Sequence, residues 1–106
     1  MENQLTRGES QRVMYVENKE GYIDDYVAHI GWVTFSKTGK TVYYKDKVLL
    51  RMKGGGISGN HIDEATGEEY WVSGIKKRGS NTHWAEPTPV KIDDDAKDEY
   101  ERIINR

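Results

Sequence analysis

The sequence predicts a mainly β fold: a small SH3-like barrel or curled antiparallel sheet with one C-terminal α-helix. Three observations predict it. Short runs of β-branched and aromatic residues recur between residues 12 and 92, separated by polar or glycine-bearing turns. The stretch 31–44 reads as a hairpin with bulky groups on both faces, which suits burial on two sides. Only the last segment carries a helical stripe.

Residues 1–11 are polar without periodicity and read as a flexible N-terminal arm, leaving residues 12–106 as a single small domain. Residues 12–17 alternate, with Val13, Tyr15 and Glu17 opposite Met14 and Val16, and form a first strand. Residues 18–25 are acidic and turn-like. Residues 26–36 make the second strand, with Ile30, Trp32 and Thr34 on one face and Val33 and Phe35 on the other. Gly39 suits the left-handed position of the turn that follows. Residues 40–45 form the third strand. Asp46 and Lys47 make a turn or bulge, and residues 48–52 a fourth strand with Val48, Leu50 and Met52 on one face.

Residues 54–59 hold four glycines in six positions, a loop that is costly to order. Residues 61–63 suggest a short strand, and 64–67 a turn. Residues 69–75 read as a strong strand in which Gly74 marks a bulge or bend. Residues 82–84 and 90–92 are further short extended segments, divided by Pro87 and Pro89. In 94–105, Ala96, Tyr100, Ile103 and Ile104 share one helical face, with Asp94 or Asp95 available as cap and Asp98 placed to pair with Arg102. The helix is expected to cover an open end or edge of the sheet.

Hydrophobic residues make up 35% of the chain and charged residues 32%, so the core must be small and largely aromatic. There is one Phe against seven Tyr and three Trp, so many core groups need a partner for a polar tip. The absence of cysteine excludes disulfides and Cys-ligated zinc and fits a reducing, cytoplasmic setting. No run approaches the roughly 18 apolar residues of a membrane span, so no membrane partner is expected. The net charge of −2 hides segregation: residues 1–30 carry −3, 31–62 carry +5, 63–70 carry −4, 71–85 carry +3 and 93–106 carry −3. Such blocks are ordinarily solvated faces and loops.

The runs 12–17, 30–44, 66–74 and 90–93, together with the closing helix, resemble a family of small uncharacterised bacterial proteins. The resemblance extends from about Arg12 to the C-terminus and is specific in the two hairpin-like stretches. It implies no catalytic residues. Some members carry the label deoxyxylulose-phosphate synthase. The chain does not support that label: it is too short for a thiamine-diphosphate enzyme and lacks the Gly-Asp-Gly motif and following Asn that hold the diphosphate and its metal. No cofactor is expected.

Several motifs resolve into ordinary structure. Gly39-Lys40-Thr41 lacks the glycine a phosphate loop needs at position 34, which is Thr34, and a strand follows instead of a helix. His29, His61 and His83 lie far apart and lack metal-ligand spacing. Asp93, Asp94 and Asp95 precede a helix and read as capping residues. Tyr43, Tyr44, Tyr70 and Trp71 read as core more readily than as a stacking platform.

One constellation remains. Lys76, Lys77 and Arg78 are consecutive cations, followed by Gly79, three hydrogen-bonding residues, His83 and Trp84, with Lys53 as a second wall. Cations on phosphates and an aromatic under a base are the elements of a nucleic-acid site. The alternative is a solvated basic turn. The leading expectation is a small non-catalytic binding module for a polyanion, single-stranded nucleic acid or an acidic protein surface. The others are a regulatory domain that binds protein through an exposed strand edge, and a small hydrolase-like enzyme using His61 or His83 with the acidic loop 63–69. The sequence does not name an oligomeric state.

Overall fold

A computed structural model of the chain describes residues 10–52, 59–75 and 90–105. The elements are β1 (Ser10–Asn18), β2 (Ala28–Phe35), β3 (Thr41–Tyr44), β4 (Lys47–Arg51), β5 (His61–Asp63), β6 (Glu69–Ser73), β7 (Val90–Ile92), a 3₁₀ turn (Asp94–Ala96) and α1 (Lys97–Ile104). Consecutive strands from β1 to β6 pair antiparallel, and β6 pairs back with β1. The result is a closed six-strand barrel. β7 adds to β2 in parallel, with Ala28, His29 and Ile30 opposite Val90, Lys91 and Ile92. Of the two arrangements the sequence predicts, barrel and curled sheet, the barrel is the one formed.

The two-faced hairpin has the consequence expected of it. Inside the barrel, Val16, Ile23, Val33, Val42, Tyr44, Leu49, Tyr70 and Val72 form one core. Outside, Val13, Tyr15, Ala28, Ile30 and Ala96 form a second, with Trp32, Trp71, Ile92, Tyr100 and Ile103 against it. The helix therefore covers the outer wall of β1 and β2, and not an end or edge of the sheet. A wall with apolar residues at both parities along the strand needs a cover on each side.

β1 begins at Ser10, so the strand includes the last two residues of the segment read as an arm, and several other local details refine or correct the sequence reading. In β4 Val48 and Leu50 share a face, as expected, and the buried residue is Leu49 on the opposite one, where it stands across from Val42 and joins it in the interior. β6 ends at Ser73, before Gly74. The helix opens with the 3₁₀ turn and carries no side-chain cap hydrogen bond at either start, so the capping role expected of Asp94 and Asp95 is not realised. Arg102 meets Glu99 at 3.5 Å instead of Asp98. Gly39 has φ 77°, as its turn requires.

Polar groups inside the fold are matched. The Tyr15 hydroxyl donates to Glu17 (2.6 Å), and Lys19 Nζ lies 2.8 Å from the other Glu17 oxygen, all three on one face of the β1 segment. Burial first, then Glu17, holds the Tyr15 proton in place well above the usual phenol range. The Asn60 carboxamide imitates a strand residue: its Nδ2 donates to the Val72 carbonyl (2.8 Å) and its Oδ1 accepts from the Val72 amide (2.9 Å). Among the described residues no buried side-chain nitrogen or oxygen lacks a partner, and no helix is long and apolar enough to cross a membrane.

Candidate functional site

The described surface holds a cleft of about 950 Å³. It opens where the outer edge of β2 passes from one neighbour to another. Thr34 and Phe35 pair with β3, and Ala28 to Ile30 pair with β7, so β3 and β7 diverge around Gly31, Trp32 and Val33. The loop between β1 and β2 and the turn between β3 and β4 supply the remaining walls.

Three buried side chains make the floor. The Asp93 carboxylate accepts from the Tyr44 hydroxyl at Oδ2 (2.5 Å) and meets His29 Nδ1 at Oδ1 (2.8 Å). His29 Nε2 lies 2.7 Å from the Ile23 carbonyl. A carbonyl can only accept, so Nε2 donates, and Nδ1 is taken up by its contact with the carboxylate. No ring nitrogen is left to exchange a proton with a ligand, and His29 is a strut that ties the β1–β2 loop to the start of the 3₁₀ turn. Burial, followed by the bond and charge of Asp93, keeps the Tyr44 hydroxyl protonated far beyond its ordinary range.

Gly31 makes this floor possible. A Cβ on Gly31 would coincide with the Asp93 carboxylate and stand 2.9 Å from Tyr44 Cε1. Asp93 enters because its amide donates to the Ile30 carbonyl (2.9 Å), continuing the β7 pairing for one more residue and turning the side chain inward. The carboxylate that sequence spacing assigns to a helix start is thus spent on a histidine and a tyrosine.

The walls are aromatic and acidic. Tyr26, Trp32 and Tyr43 line the cleft with partly open rings, and Trp32 is fixed by a 2.8 Å bond from its indole N–H to the Asp95 carbonyl. Asp24, Asp25, Asp94 and Asp95 stand at the rim against Lys45 and Lys91. Lys45 Nζ sits 3.4 Å from Asp24, 3.9 Å from Asp93 and 5.5 Å from the centre of the Tyr44 ring. Asp24 and Lys45 both hold left-handed backbone, at φ 58° and 54°. Among the described residues, no group of three or more metal-ligating side chains gathers here or elsewhere.

Lys53, Lys76, Lys77, Arg78, His83 and Trp84, the ligand-binding residues expected from the sequence, lie outside the described residues. His61 is buried, bonded to Asn60 Oδ1 at 2.8 Å, and its pKa is lowered to about 4 by burial and then by the charge of Arg51. Asp63, from the acidic loop expected to serve His61, accepts the amides of Ala65 and Thr66 and forms its own turn. Tyr44 and Tyr70 are core residues, as expected, while Tyr43 faces the cleft. Sequence reasoning missed His29, Asp93 and the cleft itself. The available signal was Gly31, a lone glycine within a strand, which marks close approach by another group. Comparison of the chain with protein-family models, curated proteins and solved structures finds no match.

Proposed function

We propose that this chain is a small non-catalytic binding module, acting in the cytoplasm, and that its cleft takes a cationic group. One observation carries the reading: open aromatic faces and four exposed carboxylates converge on a cleft of ligand size whose floor is locked. Aromatic faces attract cations through the ring quadrupole, and carboxylates add direct charge, the combination by which proteins hold ammonium groups. The locked floor supports binding over catalysis, since the His29 nitrogens and the Tyr44 hydroxyl are committed to internal partners. Closure of the barrel gives β1 to β6 two neighbours each and leaves β7 as the described strand with a single neighbour. The polyanion expected for residues 76–84 concerns a segment outside the described residues.

The test is a nuclear magnetic resonance titration with protonated butylamine, read at the Trp32 indole N–H and the Gly31 amide. Butanol serves as the neutral control. The amine is expected to shift both signals, less so at high salt, and Asp24→Asn with Asp94→Asn to weaken the response. Asn tolerates the left-handed position at 24, so that pair leaves the backbone intact. Equal shifts from amine and alcohol would remove the cationic reading.

A further inference from the structure

The most informative group in the cleft is one the chain provides itself. Lys45 sits on the tight turn between β3 and β4, in left-handed backbone that lysine seldom adopts. That turn leaves its ammonium between Asp24 and Asp93 and over the Tyr44 ring. Those are the three kinds of contact an incoming alkylammonium would make: an exposed carboxylate, the carboxylate of the floor and an aromatic face. The Lys45 side chain remains 41% exposed, and its closer carboxylate partner, Asp24, is 72% exposed. An ion pair so open to water is weak, and its ammonium leaves readily.

Resting on the cationic reading above, we infer that Lys45 occupies the seat of the ligand, and that the ligand is a primary alkylammonium which must displace it. The protein thus carries its own competitor, set by a turn between two strands. A guanidinium fits less well, because the seat shown by Lys45 is a point position between two carboxylates on separate elements. It is not a planar fork facing a single carboxylate. The chemistry is shared by a lysine side chain of a partner polypeptide and by a free diamine.

The experiment measures affinity for two probes, a blocked Gly-Lys-Gly-Lys-Gly peptide and 1,5-diaminopentane, on four full-length proteins: wild type, Lys45→Asn, Lys45→Gly and Lys91→Asn. Asn and Gly both accept the left-handed backbone at 45, so the turn is kept. Lys91 also lines the cleft, and its replacement removes the same charge without vacating the seat. Both Lys45 variants are expected to bind at least one probe roughly fivefold tighter than wild type, and Lys91→Asn less than twofold tighter. The probe with the larger gain identifies the source of the ammonium. Equal gains in the Lys45 and Lys91 variants would reduce the effect to general charge and overturn the competitor. Unchanged affinity in the Lys45 variants, with clear wild-type binding, would overturn it and leave the cationic cleft standing. No binding by any of the four proteins would remove both.

Discussion

Gly31 lies in the middle of a strand, where a glycine normally weakens pairing, yet its missing side chain is what admits Asp93 to the barrel. Gly31→Ala is therefore expected to cost about 1–3 kcal/mol, since the added methyl must displace the carboxylate or shift the Tyr44 ring. Its φ is outside the left-handed region, so the cost is steric alone. Urea unfolding measures it, and a variant as stable as wild type would contradict the packing. His61 yields a pH prediction of defined sign. Its folded pKa of about 4 lies below the ordinary 6.5, so the unfolded chain binds the proton more readily. The stability linked to His61 is full above about pH 6.5 and is lost progressively as pH falls toward 4. A loss of up to about 3 kcal/mol is expected over that window, absent in His61→Gln. Unfolding curves at pH 7 and pH 4 that keep the same difference in both proteins would refute it. At this scale the sequence was least legible. His29 and Asp93 stand 64 positions apart, and no spacing rule connects them.

The elements were far more legible, because alternation in strands and the helical stripe are local patterns that burial enforces. Gly39 and the run 31–44 identified their hairpin directly. Helix capping was not legible, since Asp93 has two competing uses and only the fold decides between them. The helix has eight residues and no side-chain cap, too short to persist without docking. Tyr100 and Ile103 provide that docking, packed on the outer core, to which Ile104, half-buried like Ile103, does not belong. Ile103→Asp is expected to destabilise the domain by about 1–3 kcal/mol, and Ile104→Asp by less. Thermal unfolding of the two variants ranks them. The reverse order, or no loss in either, would mean that the helix contacts the wall differently.

For the whole molecule, the sequence showed a barrel-like composition but not its closure, which depends on β1 pairing with strands on both sides. Nor did it show how the charge blocks combine. Read linearly, the positive block 31–62 and the negative blocks on either side suggest separate faces. Folding brings them together: Lys45 from the positive block meets Asp24 from the first negative block and Asp93 from the last. The blocks are complementary parts of one neighbourhood, and its net sign is acidic. A linear count therefore favours an anionic ligand, while the described cleft favours a cationic one.

Closure through β1 and β6 also bears on the order in which the protein is made. β1 is soon followed in the chain by its first neighbour, β2, but its second neighbour does not exist until residues 69–73 have been synthesised. Through most of translation the nascent sheet carries one bare edge along β1, the kind of edge that recruits strands from other chains. The outer wall stays uncovered longer still, because α1 follows β1 to β7 in the chain. A nascent chain whose residues 69–73 are still inside the ribosome holds an open, adhesive sheet, whereas one from which they have emerged is able to close upon itself.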